Sequence, residues 1–200
     1  MVEAELKFKY GVMSSGKTYD LIKNYYSLKG DGKEVIVMKP LDDTKGDNTI
    51  VARNGQSIKV DFLISKTDDV YILITQYIRD YNLDYILVDE AQFLDPVQIR
   101  QLSDIVDYLE IPVICYGIRT DFRDKFFPGG ETLFAIADIR EELTKTCGCG
   151  RPSICNIRYN SEGIPVFEGV QVAVDGEEYT YKSMCRRCAK TLKKTYNKKK

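Results

Sequence analysis

Apolar and polar residues alternate from Leu6 through Phe8 to Tyr10, the period of a half-buried strand, and apolar residues then recur at helical spacing from Thr18 to Leu28. The run from Glu34 to Met38 is almost wholly apolar, as in a strand covered on both faces, and it ends at Lys39-Pro40. A long polar stretch from Leu41 to Gly55 reads as a loop, and loops of that length are usually functional or mobile. Alternation through Ile58, Val60 and Phe62 predicts a strand ending near Leu63. Helical spacing returns between Asp69 and Tyr81. Tyr85 to Val88 is a further apolar strand, Pro96 to Tyr108 a helix with proline in its first turn, and Ile111 to Tyr116 another buried strand. Strands alternating with helices predict an α/β domain with a mostly parallel sheet. Ligands of such sheets bind beyond the carboxyl ends of the strands, where the segments starting at Gly11, Asp89 and Gly117 are expected to converge.

The first of these segments is Gly11-Val12-Met13-Ser14-Ser15-Gly16-Lys17-Thr18, which fits the pattern G-x-x-x-x-G-K-[ST] between a strand and a helix. Backbone N–H groups at the helix start and the positive end of its dipole suit a phosphate. Lys17 can reach the outer phosphates, and the Thr18 hydroxyl can ligate Mg²⁺. The alternative is a glycine-bearing turn that meets the pattern by accident. Asp89 closes an apolar strand, so its carboxylate is placed to hold Mg²⁺ opposite Thr18, and Glu90 can accept the proton of an attacking nucleophile. The plainer reading is a pair of acids capping a strand.

Composition narrows the chemistry. Two hundred residues, 44% of them hydrophobic, suit one ordinary domain or one domain with a small appendage. No apolar run is long enough to span a membrane, and the N-terminus lacks the features of a signal or transit peptide, so a cytoplasmic protein is expected. Lys and Arg number 29 against 30 Asp and Glu, so no global basic field points to nucleic acid. Histidine is absent, so proton transfer falls to a carboxylate and any zinc site to cysteine.

Near Thr144 the texture changes to short strand-like runs and cysteine pairs. Cys147-x-Cys149 and Cys185-x-x-Cys188 can surround a structural Zn²⁺, which would tie down a lobe with little core of its own. Cys115 and Cys155 read as packing residues. The expected division is a nucleotide-binding α/β domain over 1–144, a zinc-binding lobe over 145–192 and a Lys-rich disordered tail over 193–200.

Together, GVMSSGKT, VDEAQF at 88 to 93, YGIRTDFRDKFF at 116 to 127, the cysteine pairs and Tyr181 four places before Cys185 resemble the type II thymidine kinase family. The resemblance covers nearly the whole chain. It implies a P-loop, RecA-like α/β fold with a zinc-bearing lasso domain over the nucleoside. It further implies transfer of the ATP γ-phosphate to the thymidine 5′-hydroxyl, a homotetramer, and feedback inhibition by dTTP. Carried over by position, Glu90 is the base, while Met13, Phe93, Ile118, Phe122, Phe127, Asn156, Val172 and Tyr181 line the thymidine pocket with help from lasso main chain. The plainer reading of the apolar ones among them is ordinary core.

Five positions depart from the family pattern. Val12 and Ser14 stand where Pro and Phe are usual, and Lys45 replaces an arginine of the long loop and so cannot offer a bidentate fork. Gly176-Glu177 replaces a paired glycine, and Cys188 stands where many bacterial relatives have His. Two other classes remain open. An ATP-driven translocase shares the Asp89-Glu90-Ala91-Gln92 pattern but needs more chain, and a zinc-ribbon nucleic-acid module needs a basic patch, whereas the lasso region mixes arginines with acids.

Overall fold

A computed structural model describes residues 4–41, 48–172 and 179–197. The chain forms two compact units whose sequences interleave: one takes residues 1–10, 16–117 and 128–141, the other residues 11–15, 118–127 and 142–200.

The elements built mainly in the first unit are, in chain order, β1 (Leu6–Gly11), α1 (Lys17–Gly30), β2 (Val35–Pro40), β3 (Thr49–Val51), β4 (Ser57–Lys59), β5 (Phe62–Ile64), α2 (Val70–Tyr77), β6 (Tyr85–Val88), α3 (Pro96–Leu109), β7 (Val113–Ile118), α4 (Pro128–Ile136) and β8 (Ile139–Glu142). Six strands form one sheet in the order β5-β2-β6-β7-β1-β8. Its β5–β2, β2–β6 and β6–β7 pairs are parallel, with Ile36 opposite Ile86 and Leu87 opposite Ile114. The unbroken apolar runs follow from burial on both faces. Ile36, Met38, Ile86 and Val88 enter the core shared with α2, α3 and α4, whereas Val35, Val37 and Leu87 enter a second core with Leu21 and Ile22 of α1. On α3, Ile99, Leu102 and Ile105 are fully buried, each stabilising by roughly 1.5–3 kcal/mol. Pro96 opens that helix, and the Asp95 N–H donates to Gln98 Oε1 at 3.1 Å.

Two local expectations change, and one helix carried no sequence signal. The strand predicted over Ile58 to Leu63 is two strands. β4 pairs antiparallel with β3 in a hairpin, and β5 joins the main sheet. The chain breaks between them because Asp61 turns its carboxylate onto the Val37 N–H at 2.7 Å. The polar stretch 41–55 therefore carries β3, whose Ile50 is buried in the second core. Helix α4 was hidden by Pro128-Gly129-Gly130, which reads as a turn. Its glycine allows close approach, since a Cβ on Gly129 would meet the Leu94, Ala91 and Gln92 carbonyls.

The second unit contains the antiparallel strands β9 (Cys155–Asn160), β10 (Pro165–Val166) and β11 (Tyr179–Met184), ordered β10-β9-β11, followed by helix α5 (Arg186–Asn197). The helix runs through Lys193 and Lys194, where a disordered tail was expected. Tertiary contact overrides composition there: the Tyr196 ring lies 5.7 Å from Phe167, and Lys193 Nζ sits 5.5 Å from the same ring. Lys45, Gly176, Glu177 and Lys198 to Lys200 lie outside the described residues.

Candidate functional site

The phosphate loop turns tightly between β1 and α1. The Ser15 N–H donates to the Val12 carbonyl at 3.2 Å, Ser14 takes a left-handed φ of 60°, and Gly16 caps the helix at φ 90° with no side-chain cap. Helix-start N–H groups without a side-chain acceptor are donors for an anion. A Cβ on Gly11 would run into Ser15 Oγ and the Leu143 carbonyl, so the fold admits glycine alone there. Ser15 Oγ is buried without a hydrogen-bond partner among the described residues, which fits a ligand oxygen. Of the two departures within this loop, Val12 is buried at 1% exposure and Ser14 is exposed.

Lys17 and Asp89 are both buried, Lys17 on the first turn of α1 and Asp89 just past β6, where its N–H donates to the Met38 carbonyl at 2.9 Å. A carboxylate and the Thr18 hydroxyl are hard oxygen donors of the kind Mg²⁺ takes. Glu90 adopts a left-handed conformation, φ 47° and ψ 35°, rare and costly for a residue with a side chain. Its Oε2 accepts from Gln92 Nε2 at 2.7 Å. Sequence reasoning did not single out Gln92 as the partner of Glu90, although it lies in the quoted motif. The helix behind the loop is fixed by a second polar cluster that left no periodic signal. Asp20 of α1 accepts from Lys9 Nζ at 2.8 Å and from the Tyr116 hydroxyl at 3.1 Å, and Asn24 Nδ2 reaches both Asp20 and Tyr116. Burial raises the Tyr116 phenol pKa, so the phenol stays a donor.

Seven of the eight expected pocket residues belong to the second unit, and Phe93, on the 3-10 turn Ala91–Phe93, belongs to the first. The Met13 N–H donates to Asn156 Oδ1 at 2.8 Å, and Asn156 Nδ2 donates to the Thr120 carbonyl at 2.9 Å. Both ends of that buried amide are therefore used in joining the phosphate loop, β9 and the 118–127 segment. Phe122 and Phe127 are buried, Ile118 ends β7, Tyr181 stands opposite Arg158 in the β9–β11 ladder, and Val172 is exposed. Phe122 and Tyr181 meet on Arg158, whose guanidinium lies 3.8 Å from the Phe122 ring centre and donates to the Tyr181 hydroxyl at 2.8 Å.

The sulfurs of Cys147, Cys149, Cys185 and Cys188 all lie within 4.8 Å of one another, with Cys149 and Cys185 at 3.5 Å. Four sulfurs around a tetrahedral zinc stand roughly 3.8 Å apart, so the quartet fits the metal. A tight knuckle presents the first pair: the Cys147 N–H donates to the Arg151 carbonyl at 2.7 Å and the Gly150 N–H to the Cys147 carbonyl at 2.8 Å. Backbone hydrogen bonds from Cys149 and Cys185 lower the Cys147 thiol to about 6, while hydrogen bonds to Cys149 and Cys185 raise Cys188 to about 12. Cys115 and Cys155 stand outside the quartet, and burial raises the pKa of both thiols, that of Cys155 to about 11. All six cysteines are free.

Comparison with known proteins adds a lineage to this geometry. A family model described as thymidine kinase matches residues 4–189. The thymidine kinase of Pasteurella multocida strain Pm70 is 39% identical over 184 residues, covering 92% of this chain and 95% of that protein. The thymidine kinase of Legionella pneumophila strain Paris is 38% identical over 185 residues, covering 92% of this chain and 88% of that protein. That of Shewanella oneidensis is 39% identical over 186 residues, covering 92% and 95% respectively.

Proposed function

The chain belongs to the thymidine kinase family, and we propose that it is itself a thymidine kinase, transferring the γ-phosphate of ATP to the 5′-hydroxyl of thymidine to give dTMP for nucleotide salvage. The observation that carries this reading is the family match over residues 4–189, which spans the phosphate loop, both acids and the cysteine quartet.

Roles divide between residues as follows. The 11–18 loop binds the phosphates through its N–H groups, with Lys17 neutralising charge on the outer ones. Thr18 and Asp89 would hold Mg²⁺, which would supply further neutralisation of phosphate charge. Glu90, oriented by Gln92, accepts the proton of the 5′-hydroxyl, and with no histidine in the chain a carboxylate is the group available for that task. Met13, Phe93, Ile118, Phe122, Phe127, Asn156, Val172 and Tyr181 bind thymidine. Cys147, Cys149, Cys185 and Cys188 hold a structural Zn²⁺. Homotetramer formation, inhibition by dTTP and a cytoplasmic location belong to the same reading, the last supported by six unpaired cysteines. Among the described residues no helix is long and apolar enough to cross a membrane.

The test is an ATP-dependent phosphorylation assay across the nucleosides, with and without single-stranded DNA. Thymidine-dependent turnover without DNA is the expected result. DNA-stimulated ATP hydrolysis with no nucleoside product would instead make the protein a translocase.

A further inference from the structure

Arg158 lies on β9 at 1% exposure, the largest fully buried side chain among the described residues. A buried guanidinium is costly unless its donors are met, and here they are met by neutral groups. Nε donates to the Tyr181 hydroxyl at 2.8 Å, Nη1 to the Val170 carbonyl at 2.9 Å and Nη2 to the Gln171 carbonyl at 3.0 Å. Its carbon stands 3.8 Å from the Phe122 ring centre. Arg123 continues the row, since its Nη1 donates to the Gly169 carbonyl at 2.9 Å. That side chain is aimed by buried Asp121, whose Oδ2 accepts from Arg123 Nε at 3.0 Å and whose Oδ1 accepts the N–H groups of Arg123 and Lys125.

Three consecutive carbonyls, those of Gly169, Val170 and Gln171, are thus held by two arginines. They need such partners because the segment belongs to no strand: β10 ends at Val166 and β11 begins at Tyr179. The Gln171 side chain adds one more tie, donating to the Phe126 carbonyl at 3.0 Å. An apolar residue at 158 would leave two carbonyls and a hydroxyl without their donor. Lysine would keep a charge but lacks the planar fork that serves three acceptors while stacking on Phe122.

We propose that Arg158, with Arg123 as its outer partner, is the positioning residue of the nucleoside subsite. It holds residues 169–172, Tyr181 and Phe122 in one preformed arrangement, so that nucleoside affinity depends on it and phosphoryl transfer does not. The proposal rests on the thymidine kinase reading, because the groups it aligns are those assigned to thymidine. Preformed sites bind more tightly because less ordering remains to be done on binding.

The experiment compares wild type, Arg158→Lys, Arg158→Met and Arg123→Met as full-length, zinc-loaded chains, checked by circular dichroism and zinc content. Steady-state rates are measured with thymidine and ATP varied in turn, and hydrogen exchange is followed on peptides covering 167–172. We expect the thymidine KM to rise by about 30-fold in Arg158→Met, about tenfold in Arg158→Lys and about threefold in Arg123→Met, following the number of acceptors each leaves unmet. The ATP KM should stay within about twofold and kcat at saturating thymidine within about threefold, with exchange at 167–172 faster in every variant. If Arg158→Met does not fold, Arg158→Lys and the half-buried Arg123→Met carry the test. Folded variants with an unchanged thymidine KM, with a loss confined to kcat, or with unchanged exchange at 167–172 overturn the positioning role. A wild type that phosphorylates no nucleoside overturns the underlying reading instead, and the subsite assignment with it.

Discussion

The first unit packs apolar side chains against both faces of its sheet, from Leu6 and Phe8 on one strand to Leu87 and Val113 on others. Among its described residues the second buries few such side chains, chiefly Val12, Phe122, Phe127 and Ile157, beside buried Asp121, Asn156 and Arg158, and it carries the partly exposed cysteine quartet. The difference separates two ways of building a site. Where apolar burial carries stability, polar groups at strand ends such as Asp89 and Glu90 are available for chemistry. Where it is scarce, directional hydrogen bonds from buried polar side chains must hold the fold.

The largest test of that contrast is removal of the metal. Chelation, or replacement of both Cys185 and Cys188 by Ser, should release about one zinc per chain and unfold the second unit while the sheet persists. Structural zinc is worth about 10–16 kcal/mol in small metal-dependent domains. Metal analysis with peptide-resolved hydrogen exchange reads both effects, and full zinc occupancy in the double variant would sink the assignment.

Glu90→Gln should slow single-turnover phosphorylation by roughly 10²- to 10⁴-fold, the usual worth of a general base, with thymidine affinity little changed. Normal single-turnover rates would place the base elsewhere or make one unnecessary, which a loose transition state permits.

Leu102→Ala, in the middle of α3, should cost about 2–5 kcal/mol of stability in a urea titration and leave both KM values alone. A shift in thymidine KM would show that the first unit's core is not insulated from recognition.

The smallest expected effect belongs to Gln92→Ala, which removes the 2.7 Å hydrogen bond to Glu90. It should lower kcat by about tenfold without altering the ATP KM. A change in KM alone would assign Gln92 to binding.

The phosphate loop and the parallel sheet were legible because their signals are local: a fixed motif, and apolar runs dictated by burial on two faces. The place of Asp89 and Glu90 just past an apolar strand was legible for the same reason. Helix α4 was not, because its Pro128-Gly129-Gly130 start mimics a turn and its glycine answers to three carbonyls distant in sequence. The split of Ile58 to Leu63 into two strands was equally hidden, since alternation is the same for one strand or two until Asp61 finds Val37.

By itself the sequence determined the family, the α/β class, the G-x-x-x-x-G-K-[ST] loop between strand and helix, and the four cysteines that cluster, each written in contiguous or evenly spaced residues. The tertiary structure alone decided that residues 11–15 and 118–127 pack with the unit that carries the cysteine quartet. It also decided that Gln92 holds Glu90 and that Arg158 takes three acceptors from two segments. Those choices turn on directional bonds between side chains and backbone groups far apart in the chain, and such bonds exist only once the backbone has folded, so they leave no period in the sequence.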